Sequence, residues 1–374
     1  MKFTDVLGQE KTKEQLIAMV KNNRLSHALL FHGKEGVGKK ALALAFAQYI
    51  VCENKQDKDS CGECSACKKA QKLIHPDIHF VFPVIKDGNK KSISDTYISD
   101  WRNSILESPY FSYQQWNSNI GDGKKSSAIY VDESSEIIKK LNFKAFESDY
   151  KVILIWLPEK MNSQTANKLL KTLEEPAEKT ILILIANNID FMLSTILSRV
   201  QQIKIPPIAS ESIKEYLKQH FSLSEDLIQF ATKYGKGKLN DSIEALQQSE
   251  ENERYHEWFV QFMRLSYANK MLDLIKLNEK IIGNDKNEII NFLTYSINYL
   301  RDNFMLNKEQ DELVFLIQKE KEFAQRFSNF INENNIELMY NSINNTIDNI
   351  KKNGNVKIQM QTLAIDMVRA FSLI

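Results

Sequence analysis

Short, uninterrupted apolar runs recur through the first part of the chain and predict strands that are buried on both faces of a parallel sheet. Three of the runs are strong, at residues 28–31, 151–157 and 180–186, and two are weaker, at 79–85 and 201–205. Between the runs, apolar residues recur every three or four positions, which is the spacing of helices. The alternation of the two patterns predicts an α/β domain built on a parallel sheet.

The strand pattern stops at Pro206 and Pro207, and every strong pattern after them is helical. The prolines therefore mark the first predicted domain boundary. We expect an α/β domain at 1–206, a small helical domain at 207–249 and an all-helical domain at 250–374. The helices of the last domain are indicated by apolar residues at helical spacing, such as Tyr255, Trp258, Phe259 and Phe262.

A glycine-bearing turn joins the first predicted strand to a helix, and its spacing is that of a phosphate loop. The sequence reads Gly33-x-x-x-x-Gly38-Lys39, with Gly36 inside the turn. Backbone N–H groups of such a turn, the lysine and the helix dipole all favour a bound phosphate. The predicted nucleotide-binding residues are Gly33, Gly36, Gly38, Lys39 and Lys40.

Two positions of this site depart from a hydrolytic pattern. Lys40 stands where the complete motif has the serine or threonine that ligates magnesium. The strand at 151–157 ends in Trp156 rather than in an acidic residue that would hold the same ion. ATP or ADP stays a candidate ligand, whereas magnesium has lost its two usual protein ligands. We expect negligible ATP hydrolysis by the isolated chain, and the alternative is a loop kept only as a structural turn.

All four cysteines lie in one segment, at Cys52, Cys61, Cys64 and Cys67, with the spacing C-x8-C-x2-C-x2-C. Two C-x-x-C steps bring thiolates around one tetrahedral ion, so we predict a structural zinc site within 52–67. Four protein ligands leave no open position for water, which excludes a catalytic role. The alternative is a group of unligated thiols.

Composition and charge limit the classes of partner. The chain has 374 residues with 49 basic and 48 acidic side chains, and its formal net charge is only +1. No general positive field draws it to nucleic acid, so any DNA contact is local or supplied by partner proteins. We find neither a signal-peptide pattern at the N-terminus nor an apolar run long enough for a bilayer, and we expect a cytoplasmic protein without membrane contact.

The segment 86–127 is polar and interrupted by glycine, which predicts an insertion carrying a helix or two. Its aromatic residues include Trp101, Tyr110, Phe111, Tyr113 and Trp116. We expect these rings to pack on the parent domain, and a partner-binding surface is the alternative.

Several motifs together resemble the bacterial clamp-loader family. They are GKEGVGKKALA, the four-cysteine insertion after the phosphate-loop helix, HPDIH, NKLLKTLEEP and SRVQ, in matching order and spacing. The resemblance runs from Asp5 to about Leu246. It implies an AAA+ module with a zinc-bearing insertion, a small helical lid at 207–249, and a helical collar at 250–374 that assembles subunits into a ring.

The resemblance also implies roles for single residues. Lys39 and the three glycines match the family's phosphate loop. Arg199, in Ser198-Arg199-Val200, matches the arginine of a serine-arginine-cysteine motif that reaches the γ-phosphate of a neighbouring subunit, so it is the predicted catalytic residue acting in trans. Val200 replaces the motif's cysteine, and Asn240 lies about where active members place a nucleotide-sensing arginine. On residue type alone, Arg199 would be a surface ion pair.

What the resemblance implies for function is a degenerate clamp-loader subunit of DNA polymerase III that acts as a stationary wedge and arginine donor. Its partners would be other clamp-loader subunits in a hetero-oligomeric ring and, through them, the sliding clamp and primer-template DNA. One alternative is an ATP-hydrolysing subunit of the gamma or tau kind. Another is a free-standing zinc-containing phosphate-loop NTPase unrelated to replication.

Overall fold

A computed structural model describes residues 1–86, 91–121, 125–142, 144–175, 177–221, 223–310, 314, 316 and 318–373, without the side chains at 142 and 247–250. The chain divides into two compact units. The first contains Met1–Ser222 and Gly235–Ser242, and the second contains Leu223–Tyr234 and Ile243–Ile374. The division into three domains stays a prediction, and its second boundary falls within a helix that spans Leu239–Tyr267.

The first unit is built on a five-stranded parallel sheet, as the apolar runs predict. The strands are β1 Ala28–His32, β2 Ile78–Val81, β3 Lys151–Trp156, β4 Thr180–Ala186 and β5 Gln201–Lys204, in the spatial order β2-β3-β4-β1-β5. Every pair is parallel. β4 is therefore the middle strand and β1 lies between β4 and β5, so that Leu30 lies opposite Leu184 on one side and Gln202 on the other.

The run predicted as a strand at 79–85 is shorter in the structure. β2 ends at Val81, two residues before Pro83. Proline has no N–H to donate to a ladder, so the pairing cannot continue through that position. Val84 then forms an isolated antiparallel bridge with Ala128, where the segment 86–127 returns to the sheet.

Nine helices accompany the sheet along the described part of the first unit. They are α1 Glu10–Lys21, α2 Lys39–Val51, α3 Ser65–Gln71, α4 Ile98–Glu107, α5 Tyr113–Ile120, α6 Val131–Asn142, α7 Ser163–Glu174, α8 Ser194–Leu197 and α9 Ser210–His220. α2 is buried along its whole length, including both of its lysines. Residues 167–174 of the sequence NKLLKTLEEP lie on α7 and Glu175 is its C-cap, whereas Pro176 lies outside the described residues.

The inserted segment carries two helices, α4 and α5, and its rings pack on the parent domain. Trp101, Phe111 and Trp116 are all buried. Trp101 stacks on Phe82 with ring centroids 4.3 Å apart, and the indole of Trp116 donates to the carbonyl of Pro83 at 2.7 Å. The expectation of packing is met for these three rings. Residues 87–90 and 122–124 of the insertion lie outside the described residues.

The described residues of the second unit form no strand. Its helices are α10 Glu225–Gly235, α11 Leu239–Tyr267, α12 Met271–Ile282, α13 Lys286–Asn307, α14 Gln318–Phe327, α15 Ile336–Lys351 and α16 Val356–Phe371. The predicted aromatic stripe of α11 lies in one continuous core with apolar residues of α12 to α16. This confirms the all-helical C-terminal region. In the part of the chain that the structure describes, no helix has the length and apolar character needed to cross a membrane.

Candidate functional site

The phosphate-loop turn lies at the carboxyl end of β1, between β4 and β5, and leads directly into α2. A side chain at Gly33 would collide with the backbone carbonyl of Ile205, so only glycine fits there. Gly38 has a left-handed φ of 88° and is the N-cap of α2. The sequence thus folds locally as the motif requires, with the loop at the crevice where open α/β sheets bind ligands.

Lys39 points back onto its own loop. Its ammonium donates to the carbonyl of Gly33 at 2.6 Å and to that of Lys34 at 2.5 Å. The residue is 4% exposed, and burial lowers the pKa of Lys39 to about 8. The positive charge is therefore held by loop carbonyls in this structure.

Lys40 and Trp156, the two departures from the hydrolytic pattern, contact each other. The Lys40 ammonium lies 4.2 Å from the ring centroid of Trp156 and 2.9 Å from that of Phe111, and it donates to the Phe111 carbonyl at 2.7 Å. Burial lowers the pKa of Lys40, while the ring faces and the carbonyl favour its cationic form. The complete hydrolytic pattern has two oxygen ligands for magnesium at these positions, whereas this chain has a lysine side chain packed against aromatic rings.

Tyr110 covers the loop from the other side. A Cβ added at Gly38 would lie 3.2 Å from the Tyr110 ring. The Tyr110 hydroxyl accepts a hydrogen bond from the Leu7 N–H at 2.9 Å. The backbone carbonyl of Tyr110 accepts one from the Asn240 side-chain amide. Burial raises the pKa of Tyr110 to about 12. One residue of the insertion thus joins the N-terminal segment, the phosphate loop and the first turn of α11.

Glu35 closes the remaining side. Its carboxylate accepts hydrogen bonds from the N–H of Tyr113 at 2.7 Å and from the side chain of Asn187 at 3.3 Å. Asn187 follows β4, and its own N–H donates to Glu159 at 2.7 Å. Burial raises the pKa of Glu159. Asn187, the first residue after β4, is therefore bonded to carboxylates of the chain in this structure.

The cavity left at this site measures about 20 Å³ and is lined by residues of the loop, Trp156, Asn187 and the segment 109–111. Pockets for drug-sized ligands measure roughly 300–1,000 Å³, so a nucleotide enters only if the segment 109–111 moves away. The predicted nucleotide-binding residues are thus brought together, and nucleotide binding stays a prediction. Sequence reasoning identified Tyr110 and Phe111 as packing residues but did not connect them with Lys40, about 70 positions earlier, because no periodicity reports that contact.

Arg199 lies in the turn between α8 and β5, at the surface. Its guanidinium forms an ion pair with Glu174 at 2.6 Å and donates to the Thr195 carbonyl at 2.9 Å. Both side chains of the ion pair are more than one third exposed. Exposed pairs of this kind contribute only about 0–1 kcal/mol, so Arg199 can exchange Glu174 for another anion at low cost. Its catalytic role stays a prediction, and the sequence did not indicate Glu174 as its partner.

The four cysteines converge as predicted. Cys52 follows the last turn of α2, Cys61 lies in the loop, and Cys64 and Cys67 lie at the N-cap and in the first turn of α3. Their sulfur atoms all lie within 4.8 Å of one another, with Cys52–Cys61 at 3.6 Å and Cys61–Cys67 at 3.8 Å. Tetrahedral zinc with Zn–S bonds of about 2.3 Å requires sulfurs about 3.8 Å apart. The donor set therefore fits a structural zinc ion.

Backbone N–H groups orient three of these sulfurs. The N–H groups of Cys61, Cys64 and Cys67 each lie 3.4 Å from the sulfur of the preceding cysteine in the set. The bond from Cys64 lowers the pKa of Cys61 to about 6, whereas burial raises the pKa of Cys52 and Cys67. Hydrogen bonds to these three sulfurs favour the thiolate form that a metal needs and help to orient the ligands.

Comparisons with known proteins agree with these features. The family model described as DNA polymerase III, delta subunit, matches residues 8–209, more than half of the chain. The chain is 26% identical over 245 residues to the DNA polymerase III subunit delta′ of Bacillus subtilis, a match that covers 66% of this chain and 60% of that protein. It is 29% identical over 253 residues to the subunit tau of the same bacterium, covering 66% of this chain and 38% of that protein.

A third relative, the subunit delta′ of Escherichia coli, is 26% identical over 224 residues, covering 60% of this chain and 55% of that protein. The chain thus spans less than two thirds of the length of these relatives. A solved structure of a gamma subunit-related protein from Thermotoga maritima aligns over 97% of this chain and 99% of its own at 14% identity, with a TM-score of 0.38. The parallel sheet with its phosphate loop, the cysteine cluster and the family match lead to one assignment: the chain belongs to the DNA polymerase III delta-subunit family of clamp-loader proteins.

Proposed function

We propose that this protein is the delta′ subunit of a bacterial DNA polymerase III clamp loader and supports loading of the sliding clamp on primed DNA without hydrolysing ATP itself. One observation carries the second half of this proposal. Lys40 and Trp156 meet each other and the Phe111 ring where a hydrolytic site would hold magnesium. A lysine buried in this position supplies no oxygen ligand for magnesium, and its cationic form repels a divalent ion.

The same contacts suit a stationary subunit. Tyr110 holds the N-terminal segment, the loop and Asn240 together through contacts within the chain. We infer that these contacts take the place of a nucleotide in fixing this part of the molecule. Residues 207–249 would then serve as the helical lid and residues 250–374 as the collar that joins neighbouring subunits. The zinc ion would hold the inserted segment 52–67 in shape.

Arg199 is the group through which this subunit would act on a neighbour. A guanidinium beside a γ-phosphate stabilises the charge that develops during phosphoryl transfer. The ion pair with Glu174 keeps Arg199 ordered at the surface and is weak enough to be exchanged for phosphate. The residues of the neighbouring site would supply the metal ion and the attacking water.

The relatives named tau make an ATP-hydrolysing subunit the second candidate. Lys40 and Trp156 make ATP hydrolysis by this chain the weaker candidate, because neither side chain can ligate magnesium. A free-standing NTPase would leave the match to the family over residues 8–209 without a reason.

Reconstitution distinguishes these candidates. The chain is mixed with clamp-loader ATPase subunits, the sliding clamp and primed DNA, and assembly, ATP turnover and clamp loading are measured. We expect the chain to enter the complex, to be required for loading, and to show negligible turnover alone. Turnover by the isolated chain that Lys39→Ala abolishes would establish the hydrolytic candidate instead, and failure to assemble would exclude both clamp-loader functions.

A further inference from the structure

An aromatic groove opens on the all-helical unit. It lies among the last turns of α11, α14 and α16 and measures about 210 Å³. The lining residues are Met263, Arg264 and Tyr267 of α11, Phe323, Arg326 and Phe327 of α14, Phe330 and Phe371.

The rings form a continuous floor. Tyr267 contacts Phe330 and Phe371 with centroid distances of 5.0 and 5.6 Å, and Phe327 contacts Phe323 at 5.0 Å. Phe327 and Phe371 are buried, whereas Tyr267 is 57% exposed. A cavity of about 150 Å³ lined by apolar side chains accepts a benzene molecule. The groove therefore has room for one aromatic or large aliphatic side chain.

Two exposed arginines flank this apolar space. The Arg264 guanidinium lies over the Phe323 ring, 5.6 Å from the ring centroid. Arg326 follows Phe323 by one turn of α14. Within the described residues, neither guanidinium has a carboxylate within ion-pair distance, whereas Arg254 and Arg301 of the same unit pair with Glu288 and Asp302. The rim of the groove thus carries two guanidinium groups that form no ion pair with a carboxylate of the described residues.

We propose that this groove binds a short acidic peptide segment of a partner protein. One aromatic or large aliphatic side chain of the segment enters the groove, and neighbouring carboxylates bind Arg264 and Arg326. Guanidinium groups form paired hydrogen bonds with carboxylates, and a buried ring beside them supplies the apolar part of the contact. A nucleic-acid strand fits less well, because it needs exposed ring faces along a longer basic track, and Phe327 and Phe371 are buried.

Both arginines also occupy the last turn of their helices, where a cation stabilises the helix dipole. The experiment must separate this contribution to folding from binding. Arg369 offers the matched control: it is exposed, lies in the last turn of α16 and does not line the groove.

The test presents a phage-displayed library of random short peptides to the full chain and to the double variant Arg264→Glu, Arg326→Glu. We expect the wild-type chain to enrich peptides in which acidic residues flank an aromatic or large aliphatic one. The best of these, synthesised with a fluorescent label, should bind the double variant at least about tenfold more weakly. The variant Arg369→Glu should change the affinity by less than about twofold.

Thermal unfolding of each variant shows whether it is folded, and Arg264→Gln with Arg326→Gln replaces any charge-reversed chain that is not. Enrichment of peptides without acidic residues, or equal binding to wild type and double variant, would overturn the proposal. Tight binding of a labelled oligothymidine through the same arginines, with no peptide enriched, would overturn it in favour of a nucleic-acid surface.

Discussion

The two ends of α2 behave in opposite ways. At its C-terminal end, Cys52 joins three other sulfurs within 4.8 Å of one another, and the full set of metal ligands is present. At its N-terminal end, Lys39 and Lys40 bond to backbone carbonyls of the same chain, and about 20 Å³ of cavity remains. One end of the helix is prepared for an ion that holds the fold together. At the other end, the chain's own side chains occupy a site whose pattern belongs to ligand binding.

Removing the metal is the strongest test of the cysteine site at the C-terminal end of α2. Cys67→Ser should lose most of the zinc, because structural zinc contributes an apparent ~10–16 kcal/mol in zinc-finger peptides and a hydroxyl is a poor replacement for a thiolate. Elemental analysis of protein purified without added metal should show about one zinc ion per chain in wild type and in Ser65→Ala, a control in the same turn. Wild-type protein without zinc, and with four freely titrating thiols, would show that the cluster is no metal site.

Arg199→Ala tests whether the degenerate subunit still assists a neighbour's chemistry. Arginine fingers raise phosphoryl-transfer rates by about a thousandfold or more, so the ATPase rate of the reconstituted complex should fall, in part only if other interfaces keep their own arginines. The measurement is DNA- and clamp-stimulated ATPase at matched assembly.

Glu174→Ala is the control for this variant, since it removes the ion pair but leaves the guanidinium. It should keep the rate close to that of wild type. Equal rates for Arg199→Ala and wild type would make Arg199 a surface cation and the subunit purely architectural.

Glu133 links the insertion to the sheet domain and gives a pH-dependent test. It accepts the Ser94 N–H at 2.5 Å, and burial raises the pKa of Glu133 to about 7. The folded chain thus binds its proton more tightly than the unfolded chain, so the stabilising contribution is complete below about pH 4.5 and is lost as pH rises through about 7.

We therefore expect Glu133→Gln to raise the free energy of unfolding near pH 8 by at most about 3 kcal/mol and to change it little near pH 4.5. Denaturant titrations at the two pH values measure this difference, with Glu136→Gln, a half-buried neighbour on α6 that pairs with Lys139, as control. A stabilisation of equal size at both pH values would contradict the assignment.

Phe111→Ala should give the smallest effect, and it tests the N-terminal end of α2 most directly. The shorter side chain removes one ring from the Lys40 ammonium and opens space beside the loop. A fluorescent ADP analogue should bind this variant at least about tenfold more tightly than wild type, without ATP turnover, since no magnesium ligand is restored.

Tyr113→Phe is the control, because its side chain does not line the cavity. If wild type binds the analogue as tightly as Phe111→Ala, the segment 109–111 does not block the site.

The sequence predicts those parts of the molecule whose information is local. Runs such as 180–186 contain their own strand signal, and consecutive cysteines are separated by at most nine positions, so spacing alone predicts the cluster. The contacts of Lys40 with Phe111 and of Arg199 with Glu174 join residues far apart in the chain. They depend on how the insertion and α7 pack, which no periodic pattern encodes. The end of β2 is intermediate: the alternating run predicts a strand through Pro83, whereas proline has no N–H for the ladder and the strand ends at Val81.

Tyr110 also determines how this region opens. The residue bonds to segments 103 and 130 positions away and contacts the turn at Gly38. The hydroxyl, ring and backbone carbonyl of one residue make these contacts, so they should be lost together when Tyr110 moves, and local unfolding here should be cooperative. The Leu7 amide, which is bonded to the Tyr110 hydroxyl, should therefore exchange its hydrogen at the rate of the whole opening event. A single backbone proton reports whether the loop, the N-terminal segment and the start of α11 are closed as one unit.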